Sequence, residues 1–317
     1  MNDYNQPYVL VFGASVVDII GFSSAKYRSY DSTPGNIKIT FGGVCRNIAE
    51  NMARVGVNTK FISILGDDEK GRSMLEHSKV MGYDMSESLI LEKGTTPTYM
   101  AILDEYGEMV SAIADMKSVD EMTFEFIDSK REIIENSQYT FLDADNPTNL
   151  EYILESFKGK TKFILDPISA AKAKNIRHLI KHFHTIKPNR HEAEVLAGFK
   201  IKTDEDLRKA VDYFLDLGVK NVFISLDEDG IYYSNGLEYG KIKANNAIVK
   251  NVTGAGDSFV AGLGYGYMNN MDIVKTIKFS VAMSIITISH EETIHPKMCY
   301  EYVNKYMDEI NWTEIVY

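Results

Sequence analysis

Short apolar runs alternate along the chain with longer segments in which apolar residues recur every three or four positions. The runs predict buried strands at Tyr8–Phe12, Phe61–Leu65, Thr140–Asp143, Lys162–Asp166 and Asn221–Leu226. The intervening segments predict helices at Ile48–Val55, from Asp68 to Val80, near 123–136 and 148–157, and at Ala193–Ala197, 256–268 and Ile273–Ile286. Such alternation is typical of a doubly wound α/β domain with a mostly parallel sheet, and we expect one such domain over residues 1–317.

One part of the chain interrupts this alternation. Ile37–Phe41 alternates like a half-exposed strand, and Thr98–Leu103 and Met109–Ala112 flank a glycine-containing turn that is typical of a β-hairpin. These strands could form a small sheet over the main one, with segments near 18–41 and 95–115. Such a sheet is expected where a lid covers a binding site.

Composition and charge limit the partners. The 317 residues are 44% hydrophobic and 25% charged, which is ordinary for a globular protein with ample core. The net charge of −11 argues against nucleic acid and acidic membrane surfaces as partners. Met1–Gln6 lack a signal-type apolar run, and no stretch reaches membrane-spanning length. Because two cysteines, Cys45 and Cys299, are too few for a disulfide framework, we expect a cytoplasmic protein.

Familiar motifs of other enzyme classes are missing from the sequence. It contains neither the G-x-x-x-x-G-K-[ST] phosphate loop nor the G-x-G-x-x-G dinucleotide motif, which argues against a nicotinamide-dependent oxidoreductase. The segment His290–His295 has one residue too many for the H-E-x-x-H zinc motif. A polar helix end before Pro296 explains that segment better.

The loop Asn251–Phe259 carries the strongest chemical signal. It opens a long apolar run, so it predicts a loop that enters a helix. Gly254 and Gly256 leave the backbone free to curl its N–H groups around an anion at the helix N-terminus. Asp257 beside such an anion is explained if it takes a proton from a hydroxyl that attacks a phosphate, as in a kinase. The alternative is a glycine-rich turn in which Asp257 caps the helix.

Other polar residues follow predicted strands, where an α/β sheet presents its ligand groups. Asp18 comes just past the first strand, and Gly42 and Gly43 precede Asn47, which could bind a hydroxyl. The alternatives are an exposed loop aspartate for Asp18, and a turn followed by a helix start for the glycines and Asn47.

Acidic residues also gather at later positions of the same kind. Asp143, Asp145 and Asp166 fall at strand ends. Glu192 and Glu194 lie near a helix start, where they could simply complement the helix dipole. Glu192 could instead organise a hydrated metal ion.

Three motifs in this order and spacing resemble the PfkB/ribokinase-type carbohydrate kinases over nearly the whole chain. The N-terminal pattern is matched by Gly42–Gly56, the N-x-x-E motif by Asn189–Glu192, and the C-terminal pattern by Val252–Phe259. The resemblance implies a ribokinase-like three-layer α/β/α domain with a small β-sheet lid. It also implies transfer of phosphate from ATP, with Mg²⁺, to a hydroxyl of a sugar or nucleoside.

The resemblance further implies roles for individual residues. Asp257 would be the general base, and the backbone N–H groups of Gly254, Ala255 and Gly256 would form an anion hole for the transferred phosphate. Substrate hydroxyls would be held by a set of four residues, Asp18, Gly42, Gly43 and Asn47. ATP would be bound by Asn189, Ser225, Asp227, Gly230 and Thr253. Glu192 would hold Mg²⁺ through water.

Within the family, the chain is most similar to the pseudouridine-kinase branch. Arg46–Asn51 reads R-N-I-A-E-N, and Asp166–Ala173 resembles that branch's D-P-V-S-x-x-K-A segment. The implied reaction is phosphorylation of the 5′-hydroxyl of pseudouridine, with Thr98 in a lid strand over the base. Asp145 departs from the D-A-N of the branch at a position close to substrate. Ribokinase-, fructokinase- and purine-nucleoside-kinase-like activities are alternatives, as is a non-catalytic nucleoside-binding regulator.

The chain departs from the family pattern at two other positions, and the resemblance also implies an oligomeric state. Asn251 stands where the family often has an aspartate bound to a monovalent cation, which weakens the case for K⁺. Asp227 stands where a glycine is common. Because lid strands of the family often pair between subunits, we expect a homodimer formed through the lid.

Overall fold

The computed structural model describes residues 6–316, so the ends of the predicted domain, 1–5 and 317, lie outside the described residues. The strands are β1 (Val9–Phe12), β2 (Val16–Ser23), β3 (Gly35–Gly42), β4 (Thr59–Ile62), β5 (Ile64–Gly66), β6 (Leu89–Leu91), β7 (Thr98–Leu103), β8 (Met109–Asp115), β9 (Tyr139–Asp143), β10 (Lys162–Asp166), β11 (Thr185–Ile186), β12 (Asn221–Ser225), β13 (Ile231–Ser234), β14 (Tyr239–Ala244) and β15 (Trp312–Val316). The helices are α1 (Val44–Arg54), α2 (Glu69–Met81), α3 (Phe124–Ser129), α4 (Arg131–Glu135), α5 (Pro147–Ser156), α6 (Ala170–Asn175), α7 (Arg190–Ala197), α8 (Asp204–Asp216), α9 (Ala255–Met268), α10 (Ile273–Ile288) and α11 (Tyr300–Glu309).

Nine of these strands form the central sheet, in the order β15-β14-β13-β12-β11-β10-β9-β1-β4. The six neighbouring strands β12, β11, β10, β9, β1 and β4 pair in parallel. Strands β13, β14 and β15 extend the sheet with antiparallel pairs. The predicted mostly parallel sheet is confirmed. Because the parallel strands share one direction, their carboxyl ends meet at a single edge.

The core lies in two separate layers, one on each face of the sheet. Val9 and Val11 of β1 belong to the cluster that includes α1, α9 and α10, whereas Leu10 and Phe12 belong to the cluster that includes α5, α7 and α8. Successive strand residues point to opposite faces, and all four are buried. A continuous apolar run is therefore the signature of a strand covered by helices on both sides, and the α/β/α layering is confirmed.

A second sheet of four strands has the order β3-β2-β7-β8. It contains the three strands predicted for the small sheet, and the sequence reasoning missed β2. Asp18 comes after β1, as predicted, but lies within strand β2, where it pairs with Thr40, so the alternative of an exposed loop aspartate was wrong.

Some boundaries differ from the sequence pattern. The run Phe61–Leu65 is divided at Ser63, because β4 pairs in the central sheet while β5 pairs with β6 in a two-stranded sheet. The segment 123–136 forms two short helices that meet at Lys130 instead of one. Over residues 6–316, no helix is both long enough and apolar enough to cross a membrane.

Candidate active site

The loop before α9 brings its glycines and Asp257 to the carboxyl edge of the central sheet. Gly254 is the N-cap, with φ 82°, and a Cβ at this position would lie 2.4 Å from the carbonyl oxygen of Thr293. Only glycine fits this left-handed and crowded position. Asp257 lies inside the first turn of the helix and is 9% exposed. The alternative in which Asp257 caps the helix was therefore wrong, because the N-cap is Gly254.

The backbone around these glycines is partly engaged. The Ala255 N–H donates to the carbonyl oxygen of Val252 over 3.4 Å, a long and weak hydrogen bond. The Ala255 carbonyl oxygen accepts a 2.8 Å bond from the hydroxyl of Ser284 on α10, which fixes this peptide from behind. The first residue of α9 is thus bound through its carbonyl group to α10.

Asp257 is a buried carboxyl group with a defined partner. The side-chain amide of Asn47 on α1 donates to its Oδ2 over 2.7 Å. Burial raises the pKa of Asp257 to about 7, the charge of Asp166 adds to the rise, and the Asn47 hydrogen bond and the charge of Lys187 oppose it. A carboxyl group with a pKa near neutrality is suited to accept a proton at physiological pH.

Two neighbouring strands end at charged residues beside α9. Asp166 ends β10 and Lys187 follows β11, and the Lys187 Nζ lies 3.7 Å from the Asp166 Oδ2. A Cβ on Gly256 would come within 2.9 Å of the same Nζ, so the glycine lets helix and lysine approach closely. The lysine side chain is 7% exposed. The sequence reasoning gave Lys187 no role, although its position at a strand end was a usable signal.

The predicted substrate-binding residues near α1 form a second close contact. A Cβ on Gly42 would lie 2.1 Å from the Oδ2 of Asp18, and Gly43 has φ 100° with its open side against the Ala14 carbonyl oxygen. Burial raises the pKa of Asp18, and the charge of Arg46 opposes that rise. Asp18 and Gly42 are thus in close contact, and Asn47 lies in the first turn of α1, where its N–H donates to the Gly43 carbonyl oxygen over 2.9 Å. The turn-and-helix-start alternative also holds, since Gly43 is the N-cap of that helix.

Asn189 and Glu192 form a capping box at the start of α7. The Asn189 N–H and side-chain amide donate to the two oxygens of Glu192 over 2.8 and 2.9 Å, and the Glu192 N–H donates back over 2.9 Å. Burial, with the charge of Asp166, raises the pKa of Glu192. Each carboxylate oxygen accepts one of these hydrogen bonds and keeps a further acceptor position, which could bind a water molecule of a hydrated metal ion.

The other predicted ATP-binding residues lie beyond β12 and before α9. Ser225 forms a parallel bridge to Asn189, which joins these two positions. Asp227 opens an exposed turn with φ 51°, and a Cβ on Gly230 would lie 2.2 Å from the carbonyl oxygen of Ile242. Gly230 is thus explained by strand packing alone. Thr253 is exposed, and its N–H donates to the Asn251 side chain over 3.0 Å.

Two predicted substrate residues have their described contacts elsewhere. Asp145 is exposed and forms an ion pair with Lys172 on α6. The Thr98 hydroxyl on β7 accepts a hydrogen bond from Lys70 over 2.7 Å and donates to the Thr96 carbonyl oxygen over 2.8 Å. No described hydrogen bond or ion pair connects Asp145 or Thr98 with Asp257.

Phosphate and metal can be tested against the residues present. The described residues contain no group of three or more His, Cys, Asp or Glu side chains arranged to hold a metal ion. A magnesium ion bound mainly by phosphate oxygens and water, with one or two carboxylates, does not need such a group. Asp166 and Glu192 are two carboxylates that could serve this purpose, and Gly256 leaves space beside Lys187 that a side chain would fill. The residues fit a magnesium–nucleotide complex.

Comparisons of the sequence with known proteins agree on one family. The model of the pfkB family carbohydrate kinases matches residues 6–298. Pseudouridine kinase from Escherichia coli K12 is 34% identical over 293 residues, which cover 92% of this chain and 93% of that protein. Ribokinase from Staphylococcus aureus is 26% identical over 78% of this chain and 81% of that protein.

Solved structures agree with this family. The crystal structure of a Clostridium perfringens protein, named only as a candidate sugar kinase, is 66% identical and superposes with a TM-score of 0.96 over 98% of this chain and 99% of that one. Arabidopsis thaliana ribokinase, complexed with ribose and ATP, superposes with a TM-score of 0.81 at 21% identity over 95% and 98% of the two chains, which supports the fold. The chain belongs to the pfkB family of carbohydrate kinases and is a phosphotransferase that acts on an alcohol group.

Proposed function

We propose that the protein transfers the γ-phosphate of ATP to the 5′-hydroxyl of pseudouridine, with Asp257 as the general base. The observation that carries the catalytic part is the buried Asp257 carboxyl at the start of α9, with a pKa of about 7 and an Asn47 hydrogen bond. The substrate is inferred from the 34% identical pseudouridine kinase and from the R-N-I-A-E-N segment at Arg46–Asn51.

Asp257 would take the proton of the substrate hydroxyl as the hydroxyl oxygen attacks the γ-phosphorus in line, while the bond from that phosphorus to the bridging oxygen breaks and ADP leaves. The N–H groups at Gly254–Gly256 and the ammonium of Lys187 would stabilise the charge that develops on the transferred group. Ala255 would exchange its long hydrogen bond to Val252 for one to the phosphate. Bound Mg²⁺ would supply further neutralisation of phosphate charge, held through water by Glu192 and by Asp166.

The substrate side of the proposal rests on fewer contacts. Asp18, with Gly42 against it, would hold ribose hydroxyls, and Thr98 on the lid would lie over the base. Asp145 would exchange its Lys172 partner for substrate N–H groups or hydroxyls, since a carboxylate only accepts hydrogen bonds. The ATP base and ribose would lie along the turn at Asp227–Gly230.

We also propose that two copies associate through the lid. One row across its four strands consists of Ile39, Ile19, Met100 and Ile113, paired in register. Ile39 and Ile113 are each 63% exposed and Met100 is 42% exposed. A continuous apolar row of this kind is stabilised when a second copy covers it.

Potassium is proposed to be unnecessary for activity. The Asn251 side-chain amide donates to the carbonyl oxygen of Glu291 over 3.0 Å. A neutral donor thus occupies a carbonyl oxygen that could otherwise bind a cation, and Asn251 brings no carboxylate to such a site.

The proposal is tested by ATP-dependent phosphate transfer with purified protein and Mg²⁺, comparing pseudouridine, uridine, ribose, fructose and adenosine. Preference for pseudouridine over uridine is expected, since these differ only in how the base joins the ribose. Turnover confined to a free sugar or a purine nucleoside would keep the kinase and refute the substrate. Binding without turnover of any of them would favour a non-catalytic regulator. The Asp257→Asn variant serves as the control for contaminating kinases.

A further inference from the structure

A buried ion network on α1 is not used by the proposed mechanism. Arg46 and Glu50 are 3% and 2% exposed, and an Arg46 Nη1 donates to the Glu50 carboxylate over 2.5 Å. Glu50 also accepts from Arg54 over 2.8 Å and lies 2.9 Å from the Nε2 of His77. Burial alone would raise the pKa of Glu50, but the His77 hydrogen bond and the two arginines hold it at about 2. Glu50 is therefore a charged anchor for Arg46.

The other terminal nitrogen of the Arg46 guanidinium, Nη2, binds residues other than Glu50. The Arg46 Nη2 donates to the Phe41 carbonyl oxygen over 2.5 Å and to the side-chain oxygen of Asn47. An arginine can only donate, so the Asn47 atom that faces it must be the oxygen. The NH₂ group of Asn47 is then the one that lies 2.7 Å from the Asp257 Oδ2.

The orientation of this amide decides what Asp257 can do. An NH₂ group that donates to Asp257 favours the ionised carboxylate, which is the form that accepts a proton. With the amide reversed, its oxygen would face the carboxylate and favour the protonated form. Without Arg46, the Asn47 oxygen would lose its charged partner, and the amide could rotate into this reversed orientation.

We propose that Arg46 is a positioning residue for the base: anchored by Glu50, it holds the Asn47 oxygen and thereby aims the Asn47 amide at Asp257. This inference rests on the proposed role of Asp257. It also assigns Asn47 primarily to the base, whereas the sequence resemblance implied contact with substrate hydroxyls.

The charged groups around Asp257 set the expected pH behaviour. Asp166 and Lys187 face it from the ends of β10 and β11, and Asn47 and Arg46 face it from α1. Among these, the charge of Asp166 raises the pKa of Asp257, and the Asn47 hydrogen bond and the two cations lower it. Removing the Arg46 charge should therefore move the acidic limb of the pH–rate profile to higher pH.

The first experiment compares kcat, KM and pH profiles for Arg46→Lys and Arg46→Met. Lysine keeps the charge but has one donor centre in place of a planar fork, so it cannot hold Glu50, Phe41 and Asn47 together. We expect Arg46→Lys to lower kcat about tenfold or more with little change in KM, because a charged hydrogen bond that acts on the base is lost. Arg46→Lys should also move the acidic limb to higher pH, because Asn47 is no longer held with its amide donating to Asp257, and Arg46→Met should move it further because the positive charge is lost as well.

Arg54→Lys is the matched control. Arg54 also binds Glu50, four residues along the same helix, but its other described contact is the Pro296 carbonyl oxygen. Its kcat should remain within about twofold of the unmodified protein, as expected for a contact remote from the base. An equal loss in the Arg46 and Arg54 variants would overturn the inference, because it would mean that only the stability of α1 matters. Thermal unfolding of each variant checks that α1 remains folded.

A double-mutant cycle gives the decisive result. If Arg46 acts through Asn47, Arg46→Lys should have almost no further effect on kcat in an Asn47→Ala background. Independent, multiplying effects would overturn the inference while leaving Asp257 as the base. Near-full turnover of Asp257→Asn would overturn the base assignment itself, so the two failures are distinguishable.

Discussion

Replacing Asp257 by asparagine should inactivate the enzyme and stabilise the fold at the same time. The environment raises the pKa of Asp257 from 3.8 to about 7, so the folded state binds this proton more tightly than the unfolded state. A rise of about three pH units corresponds to about 4 kcal/mol. Above pH 7 the folded protein carries this cost of a buried ionised carboxylate, and asparagine of the same shape does not.

The sign and the pH window follow from the two pKa values. Between pH 4 and pH 7 the unfolded chain has released the proton while the folded chain retains it, so the contribution of Asp257 to stability falls as the pH rises. The stability advantage of Asp257→Asn should therefore grow by about 2.7 kcal/mol between pH 5 and pH 8. It should be small near pH 4.

Two assays follow this variant. Denaturant unfolding at pH 5 and pH 8 gives the stability difference, with Glu108→Gln, a carboxylate-to-amide change on an exposed hairpin turn, as the matched control. Turnover should fall by about 10²–10⁴-fold, the usual contribution of a general base, with ATP affinity little changed. In the unmodified enzyme, kcat/KM should rise about tenfold from pH 6 to pH 8 as Asp257 ionises.

Either of two results would refute this reasoning. Turnover of Asp257→Asn close to that of the unmodified enzyme would remove Asp257 from the chemistry. A stability difference that is the same at pH 5 and pH 8 would mean that the carboxyl is not held protonated in the folded state. The second result would leave the catalytic role open to test but would remove its electrostatic basis.

Three shorter predictions concern the glycine loop, the lid and the cation. Gly254→Ala should destabilise the protein by at least about 1 kcal/mol more than Gly236→Ala, as measured by denaturant unfolding. Both glycines have positive φ, but only at Gly254 would the added Cβ meet a carbonyl oxygen. Equal destabilisation by the two changes would show that this close contact has no energetic cost. Ile39→Glu should convert dimers to monomers in sedimentation analysis, whereas Val80→Glu, which alters an exposed apolar residue of α2, should not. Turnover should be equal in KCl and choline chloride, and Asn251→Asp should introduce potassium dependence; strong activation of the unmodified protein by K⁺ would contradict the role given to this amide.

Much of the central sheet could be predicted because its strands are buried on both faces. Val9 to Phe12 form an unbroken apolar run since each residue packs into one helix layer or the other. β15 gave no such signal: four of its five residues are exposed, and it is held by pairing with β14 about 70 residues earlier in the chain. A strand that depends on a distant partner for its conformation has no local pattern to announce it.

The same distinction explains which residues of the candidate site could be predicted from the sequence. Gly254 and Asp257 were identifiable because the glycine pattern and the helix start are neighbours in sequence. Lys187 was not, because its importance depends on β11 lying beside β10, which places its ammonium next to Asp166. Arg46 was read as part of a motif, and its contacts to Glu50 and Asn47 could be seen only with the helix in place.

The carboxyl edge of the sheet presents an electrostatic problem that its pKa values resolve. Asp166, Glu192 and Asp257 lie there, the buried cations Lys187 and Arg46 offset only part of their charge, and bound nucleotide would add further negative charge. Burial and mutual repulsion raise the pKa values of Glu192 and Asp257, so protons can relieve part of this charge. The role of base proposed for Asp257, however, requires that it be free of its proton when the substrate hydroxyl arrives. A pKa of about 7 for Asp257 satisfies both demands, because the group is neutral often enough to limit repulsion and ionised often enough to accept a proton.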